Sequence, residues 1–390
     1  MYITYLRPPQ CRQISFDEIL AGVQNVAQLK YGDRSGTRTV QCDHLPVKLE
    51  HITDVDKMVS DLKAFNEMYA ELAAGDRHSH YRTFHIPKKT GGLREINAPD
   101  DDLMNALRTL QVVMKNMMIA DHHTSAFAYV EGRSTVDAVK RHQANDSHWF
   151  VKFDFHGFFP STTTDFIISQ FRQIYPFALI LQRADGEQEL RKALDLCMLD
   201  GGLPQGTPIS PFITNVMMIP FDHKMMNALN KFQIGDEADK TDRLIYTRYA
   251  DDICVSCHVT FNWHKVQQFI VDTLHDMNAP FYLNEQKTHY GSRSGKNWIL
   301  GVMLNKDNDI TIGHKNMKYF KATVTNYLLD KKNGRAWPLE DVQKFAGNIS
   351  YYRMIESEAI DRIITAYNAK FEMDLMASIK EDLGPENQAG

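Results

Sequence analysis

Apolar residues recur at three- and four-residue steps in three stretches of the chain, the period of an amphipathic helix. Val55, Met58, Leu62, Phe65, Tyr69 and Leu72 make the first, which Gly75 would stop. Leu103, Leu107, Leu110, Val113, Met114 and Met117 make the second, over 101–119. Met317, Phe320, Val324, Tyr327 and Leu328 make the third, and Lys315, Lys318 and Lys321 fall off its apolar side. Ser15-Phe-Asp-Glu18 fits a capping box that would open a helix through about Leu29. Residues 1–76 are therefore expected to form a mostly helical extension, and they carry no chemical motif.

From Tyr81 the pattern changes. Thr83 to Pro87, then Lys88-Lys89-Thr-Gly-Gly92, then Leu93 to Pro99 reads as strand, basic turn, strand. Further on, the apolar run Phe150-Val-Lys-Phe ends in Asp154, followed by Phe155-His-Gly-Phe-Phe159-Pro160. Leu244 to Ala250 and Ile253 to Ser256 are two β-prone runs with Asp251 and Asp252 between them, the tip of a hairpin. Adjacent aspartates in a partly buried site repel each other unless a cation lies between them. Mg²⁺ suits such a site, because it prefers hard carboxylate oxygens and leaves room for water and phosphate. Two such ions could activate a 3′-hydroxyl and stabilise a leaving pyrophosphate. An Asp-Asp turn by itself is commonplace. Between the two segments, however, lies Gly201-Gly-Leu-Pro-Gln205-Gly206-Thr-Pro-Ile-Ser210-Pro211, leading into Phe212-Ile-Thr-Asn215. This tight turn ahead of an apolar helix would let backbone and the Gln205 amide approach a nucleotide closely.

Composition narrows the class. The 390 residues are enough for two to three domains, and 43% hydrophobic with 24% charged residues excludes wholesale disorder. No apolar run approaches the roughly 18 residues of a membrane span. The start, Met1-Tyr-Ile-Thr-Tyr-Leu-Arg-Pro-Pro9, lacks the marks of a secretory signal. Five cysteines, an odd and sparse set, argue for a reducing compartment. A folded cytoplasmic protein without a membrane partner is expected. The net charge of −5 does not by itself suggest a nucleic-acid binder. The distribution does: residues 284–335 hold ten Lys/Arg against four acids, whereas 336–390 hold five against ten. Cys254 and Cys257 have the spacing of half a zinc site, but strand alternation would send their sulfurs to opposite faces and no second pair exists. His122 and His123 read as a packed helix end.

The order of the Asp154-to-Phe159 segment, the Leu-Pro-Gln205-Gly turn with Ser210-Pro211, and the Tyr249-Ala-Asp-Asp252 box resembles the palm motifs of reverse transcriptases. The resemblance runs from about Tyr81 to Tyr327. It implies an α+β right-hand polymerase with an antiparallel palm sheet, divided as a helical extension (1–76), fingers and palm (77–306), and a helical thumb with an acidic tail (307–390). It implies RNA-directed DNA synthesis with two Mg²⁺ ions, Mn²⁺ serving as substitute, held by Asp154, Asp251, Asp252 and the backbone carbonyl of Phe155. Phe159 corresponds to the ribose gate that excludes a 2′-hydroxyl, while Phe158 fits a core position better. Gln205 would lie near the incoming nucleotide, and Lys88 or Lys89 together with Arg94 would hold its triphosphate. Lys287 matches the lysine that protonates the leaving pyrophosphate. Trp298 to Leu304 would be the primer-gripping hairpin, with Gly301 admitting the primer backbone, and Lys315, Lys318 and Lys321 would track nucleic-acid phosphates from the thumb.

The short span after the thumb leaves no room for a ribonuclease H, integrase or endonuclease domain, and the form resembles bacterial retron and defence-associated enzymes. Retrons typically show Asn-Ala-x-x-His before the first aspartate, where this chain has Asp137-Ala-Val-Lys-Arg-His142, and Val-Thr-Gly where it has Ile299-Leu-Gly301. Gly132-Arg-Ser134 and Leu300-Gly-Val302 are closer to group II intron-like enzymes. An antiphage enzyme copying its own non-coding RNA is therefore expected ahead of a retron making RNA-linked DNA, with an intron maturase third. A non-catalytic RNA-binding scaffold is the reading from a different class. Its partners would be that template RNA, the DNA product and dNTPs, with a second copy or an accessory effector protein also open.

Overall fold

The computed structural model describes residues 54–88, 91–232, 234, 242–294 and 298–384, together with the backbone of 28–33 and 36–41. Most of the capping-box helix expected from Ser15 lies outside these residues. At Leu29 the backbone is not helical: β1 (Gln28–Asp33) pairs antiparallel with β2 (Gly36–Gln41). Thr37, Thr39 and Val40 are β-branched and favour the extended state, and Gly32 and Gly36 border the turn. The local capping signal upstream says nothing about that.

The chain packs as two compact units. The first comprises 1–133, 151–255 and 261–289, and the second 134–150, 256–260 and 290–390. In the first, Asp54 caps α1 (Val55–Met68), which buries Met58, Val59, Leu62 and Phe65. The helix stops at Tyr69, and a short second segment, Ala70–Ala74, runs to Gly75. The expected basic-turn hairpin forms from β3 (Tyr81–Pro87) and β4 (Leu93–Pro99), in register from Tyr81 opposite Pro99 to Pro87 opposite Leu93. Asp100 then caps α2 (Asp101–Met117), which buries Leu103, Leu107, Leu110, Met114 and Met117 at the predicted spacing. In the second unit, Ser134 and Asp137 make a reciprocal capping box that opens α3 (Thr135–Ala144).

The sheet that carries Asp154 is built on β5 (Trp149–His156). α4 (Ala184–Leu196) packs on α1, where Asn66 Nδ2 donates to the Glu189 carboxylate at 2.7 Å. α5 (Ser210–Met217) and α6 (Ile219–Leu229) are buried over most of their length, polar side chains such as Asn215, Asp222 and His223 included. β6 (Ile245–Tyr249), β7 (Asp252–Cys257) and β8 (Tyr282–Leu283) join it in the order β6-β7-β5-β8 of a five-stranded sheet, whose fifth strand, His289–Ser292, also pairs with β5. Cys254 and Cys257 are both buried thiols, since both faces of β7 are covered. His122 and His123 are buried as well, His122 against Asp121 and His123 edge-on to His223.

The second unit continues through β9 (His289–Ser292), and then the three-stranded sheet of β10 (Trp298–Ile299), β11 (Val302–Leu304) and β12 (Ile310–Thr311). Three helices follow: α7 (Gly313–Lys332), α8 (Leu339–Phe371) and α9 (Leu375–Leu383). α7 buries Phe320, Val324, Tyr327 and Leu328, with Met317 half-buried, and leaves Lys315, Lys318 and Lys321 exposed. α8 breaks helical geometry at Glu356, whose carboxylate accepts from Thr311 Oγ1 at 2.8 Å and Ile312 N at 2.7 Å. No helix among the described residues is long and apolar enough to cross a membrane.

Candidate active site

Asp154 lies near the end of β5, and Asp251 and Asp252 at the turn between β6 and β7, so the sheet order places the three carboxylates side by side. The Phe155 N–H donates to the Asp251 carbonyl at 3.1 Å, which ties the two motifs together through backbone. The Phe155 ring is buried among Phe158, Phe221 and Phe281, leaving only main-chain atoms to face the carboxylates. Lys287, on the short turn after β8, donates to both Asp154 oxygens at 2.8 and 2.9 Å. Among the described residues, Asp251 and Asp252 have no such cationic partner at hydrogen-bond distance. Burial, with Asp154 adding its repulsion, pushes Asp251 above its ordinary range. Burial, then Asp251 and Asp154, pushes Asp252 up to about 7, although its outer edge meets solvent and tempers the effect. A carboxylate triad with this unrelieved repulsion, carrying one lysine across Asp154, has the donor set that a hard divalent cation would neutralise.

The turn holding these groups is fixed from behind by residues outside the motifs. Arg248 is completely buried on β6 and forks onto the equally buried Asp222 of α6, Nε to Oδ1 at 2.8 Å and Nη2 to Oδ2 at 2.7 Å. Tyr246 Oη donates to the same carboxylate at 2.6 Å. Burial alone would raise Asp222, but the guanidinium and the tyrosine hold it below the usual range. The third arm of Arg248, Nη1, donates to the Ala250 carbonyl at 3.2 Å. Ala250 sits at φ +57°, a left-handed conformation costly for a residue with a Cβ, immediately before Asp251. A charged residue inside an apolar β-run is the signal that could have exposed this pair, because such a group must find a partner.

The Gly201-to-Gly206 loop braces the other side. Leu203 N donates to the Phe159 carbonyl at 3.1 Å, and a Cβ on Gly202 would stand 2.0 Å from the Pro160 oxygen. Gly206, at φ +117°, lets the loop approach β4, where a Cβ would meet the Asn97 oxygen at 2.8 Å, and Asn97 N donates to the Gln205 carbonyl at 2.7 Å. Phe159 is buried, edge-on to Phe158 and to Tyr129, with ring centroids 5.5 and 6.5 Å away. Tyr129 also feels Asp251 and Arg94 electrostatically, and so does the Asp251 carboxyl feel Arg94. The first unit thus gathers Asp154, Phe155, Phe159, Gln205, Asp251, Asp252, Lys287 and Arg94. Lys88 is exposed at the hairpin tip, and Lys89 lies outside the described residues.

Gly301, Lys315, Lys318 and Lys321 belong to the second unit. Gly301 turns β10 into β11 at φ +80°, and the Tyr351 hydroxyl donates to its carbonyl at 3.3 Å. Lys315, Lys318 and Lys321 are exposed and make no ion pair among the described residues. The acidic tail engages Lys331 instead, through Glu381 and Asp382.

Three carboxylates beside a lysine and an arginine, next to a glycine-rich loop, make a donor set suited to divalent cations and phosphate. The family model described as reverse transcriptase (RNA-dependent DNA polymerase) matches residues 86–320. The chain belongs to that family, with its right-hand polymerase fold, and is an RNA-directed DNA polymerase acting on an RNA template with divalent metal. It is 26% identical to the Escherichia coli retron Ec83 reverse transcriptase over 74% of this chain and 87% of that one. It is 28% identical to the Escherichia coli retron Ec73 enzyme over 72% and 85%, and 33% identical to the Myxococcus xanthus retron Mx162 enzyme over 50% and 38%. A solved Candida tropicalis telomerase structure, in complex with a telomeric RNA fragment, aligns over 91% of this chain and 64% of that chain, with 13% identity and a TM-score of 0.44.

Proposed function

We propose that Asp154, Asp251 and Asp252, with the Phe155 carbonyl, hold the catalytic Mg²⁺ ions of this polymerase. The observation that carries this is the convergence of three carboxylates, two of which, Asp251 and Asp252, are raised by burial and then by their neighbours' charge. Bound there, the cations would supply the charge that neutralises the triphosphate and the developing negative charge on the attacking and leaving oxygens. The chain's own residues do the rest. Arg94 and a hairpin lysine, Lys88 or Lys89, bind the triphosphate. Gln205 and Phe159 orient the nucleotide, with the Phe159 ring excluding a 2′-hydroxyl. Lys287 leaves Asp154 when cations bind and offers its proton to the departing pyrophosphate. Gly301 and the exposed lysines of α7 hold primer and template by their backbones. The divisions expected at about 76 and 306 then separate extension, fingers with palm, and thumb.

The template in this reading is a non-coding RNA carried with the protein, and the retron relatives support a retron type over the stand-alone defence type that the His142 and Gly301 segments favour. The product would serve in antiphage defence. Primer extension on an RNA template tests the core of the reading. Asp251→Asn and Asp252→Asn keep side-chain volume and remove ligand charge, so each should cost several orders of magnitude in rate with RNA binding retained. A variant that keeps more than about a tenth of the rate, a barrier change under roughly 1.4 kcal/mol, overturns the ligand assignment. Sequencing RNA and DNA that co-purify with the wild type would identify the template, and phage plating with wild type against Asp251→Asn would test the defence role.

A further inference from the structure

A second group of metal-binding side chains, unused by the polymerase site, stands in the second unit. Asp146, His148 and His258 each offer one ligand atom, and these atoms lie within 4.8 Å of one another. Asp146 Oδ2 is 3.6 Å from His148 Nε2 and 3.5 Å from His258 Nδ1. Ligands held about 2.0–2.1 Å from a tetrahedral zinc ion are about 3.3–3.4 Å apart, so two of the three edges are close to the required length. All three side chains remain 41–52% open to solvent, which leaves an entry path.

Arg293 occupies part of this group. Its Nη1 donates to Asp146 Oδ1, and its Nη2 donates to His148 Nε2 at 2.8 Å. Because Nε2 accepts, His148 is neutral with its proton on Nδ1, which is already the tautomer that would present Nε2 to a metal. Partial burial, then Arg293 and His258, holds its pKa below the ordinary histidine range. The second Asp146 oxygen is left between the two imidazoles. His258 Nδ1 lies 2.9 Å from the Asp146 carbonyl and would ligate once its proton resides on Nε2.

We propose that Asp146, His148 and His258 form a binding site for a borderline transition-metal cation, zinc foremost, with Arg293 as its built-in competitor. The ion takes Asp146 Oδ2, His148 Nε2 and His258 Nδ1, with water in the fourth position. Arg293 gives up His148 and keeps Oδ1 of Asp146. Two imidazoles with one carboxylate suit zinc, cobalt or nickel and disfavour Mg²⁺, so the site differs in chemistry from the palm carboxylates. His148 immediately precedes β5, which carries Asp154, and His258 immediately follows β7, which starts at Asp252. Their backbones already meet, His148 N donating to the Cys257 carbonyl at 2.8 Å. The cation would therefore clasp the entry of one catalytic strand to the exit of the other.

The test is titration of the chelator-treated, full-length protein with Zn²⁺ and with Co²⁺ in excess Mg²⁺. One equivalent should bind with a dissociation constant of about 1 µM or tighter, and cobalt should give the strong visible absorption of a four-coordinate site. Binding should persist in Asp251→Asn, which disables the palm site. It should weaken by about a hundredfold or more in His148→Ala and in His258→Ala, and tighten in Arg293→Gln. Wild-type zinc affinity no better than about 100 µM overturns the proposal whatever the variants do. So does binding that survives both histidine variants, or that disappears with Asp251→Asn.

Discussion

Arg248→Met probes how the palm aspartates are held in place. The guanidinium and the Asp222 carboxylate are both at 0% exposure and share two short hydrogen bonds, so removing the cation strands a charge in the core. Breaking a buried pair from one side typically costs about 3–5 kcal/mol. Tyr246 still donates to Asp222, and protonation of Asp222 gives partial relief, which favours the lower half of that range. The double variant Arg248→Met with Asp222→Leu leaves no charge behind and should recover most of the stability, as apolar replacements of buried pairs often do. Activity should not recover with it. The Ala250 carbonyl would still lack its donor, and Ala250 holds a left-handed conformation directly before Asp251. A displacement of about 1 Å at a reacting group costs on the order of a hundredfold in rate. Urea unfolding gives the stability, and single-turnover primer extension at saturating Mg²⁺ gives the rate. A single variant destabilised by less than about 1 kcal/mol, or a double variant with wild-type turnover, would refute the reasoning.

Phe159→Val should admit ribonucleotides, because the ring excludes the 2′-hydroxyl by contact alone; unchanged discrimination between dATP and ATP in a folded variant would make Phe159 a core residue only. Replacing Lys315, Lys318 and Lys321 by Glu should weaken RNA binding and flatten its log–log salt dependence by about 0.7–0.9 per lost phosphate contact. A wild-type salt slope in that variant would move the nucleic-acid track off α7. The Asp252 carboxyl, near 7 in the metal-free protein, lies above its unfolded value. Its protonated form is the favoured one in the fold, so the stability it contributes at low pH is lost as pH rises through about 7. Cation binding displaces that proton, so the Mg²⁺-induced rise in melting temperature should grow from about pH 5 to 7 and then level off, and a flat response would contradict the assignment.

The carboxylates, the glycine-rich loop, the fingers hairpin and the apolar face of α7 were all legible in the sequence. Each is a local signal: a period, a turn residue or a motif contiguous in the chain. That Asp154 belongs with Asp251 and Asp252 came only from the resemblance to the family's motif order; the sheet order that sets β5 beside β7 is decided by tertiary packing. The partner of Arg248 was not legible. Asp222 lies 26 residues away on a different element, and nothing local distinguishes a buried carboxylate from an exposed one. The same holds for Glu356, which caps the start of α7 from 44 residues downstream, and for Arg293 on Asp146. Charge totals misled in one respect. The acidic segment after 336 meets α7 at Lys331, through Glu381 and Asp382, while Lys315, Lys318 and Lys321 stay exposed. Which acid meets which base depends on helix packing and on the face each side chain occupies, and that is decided only when the chain has folded.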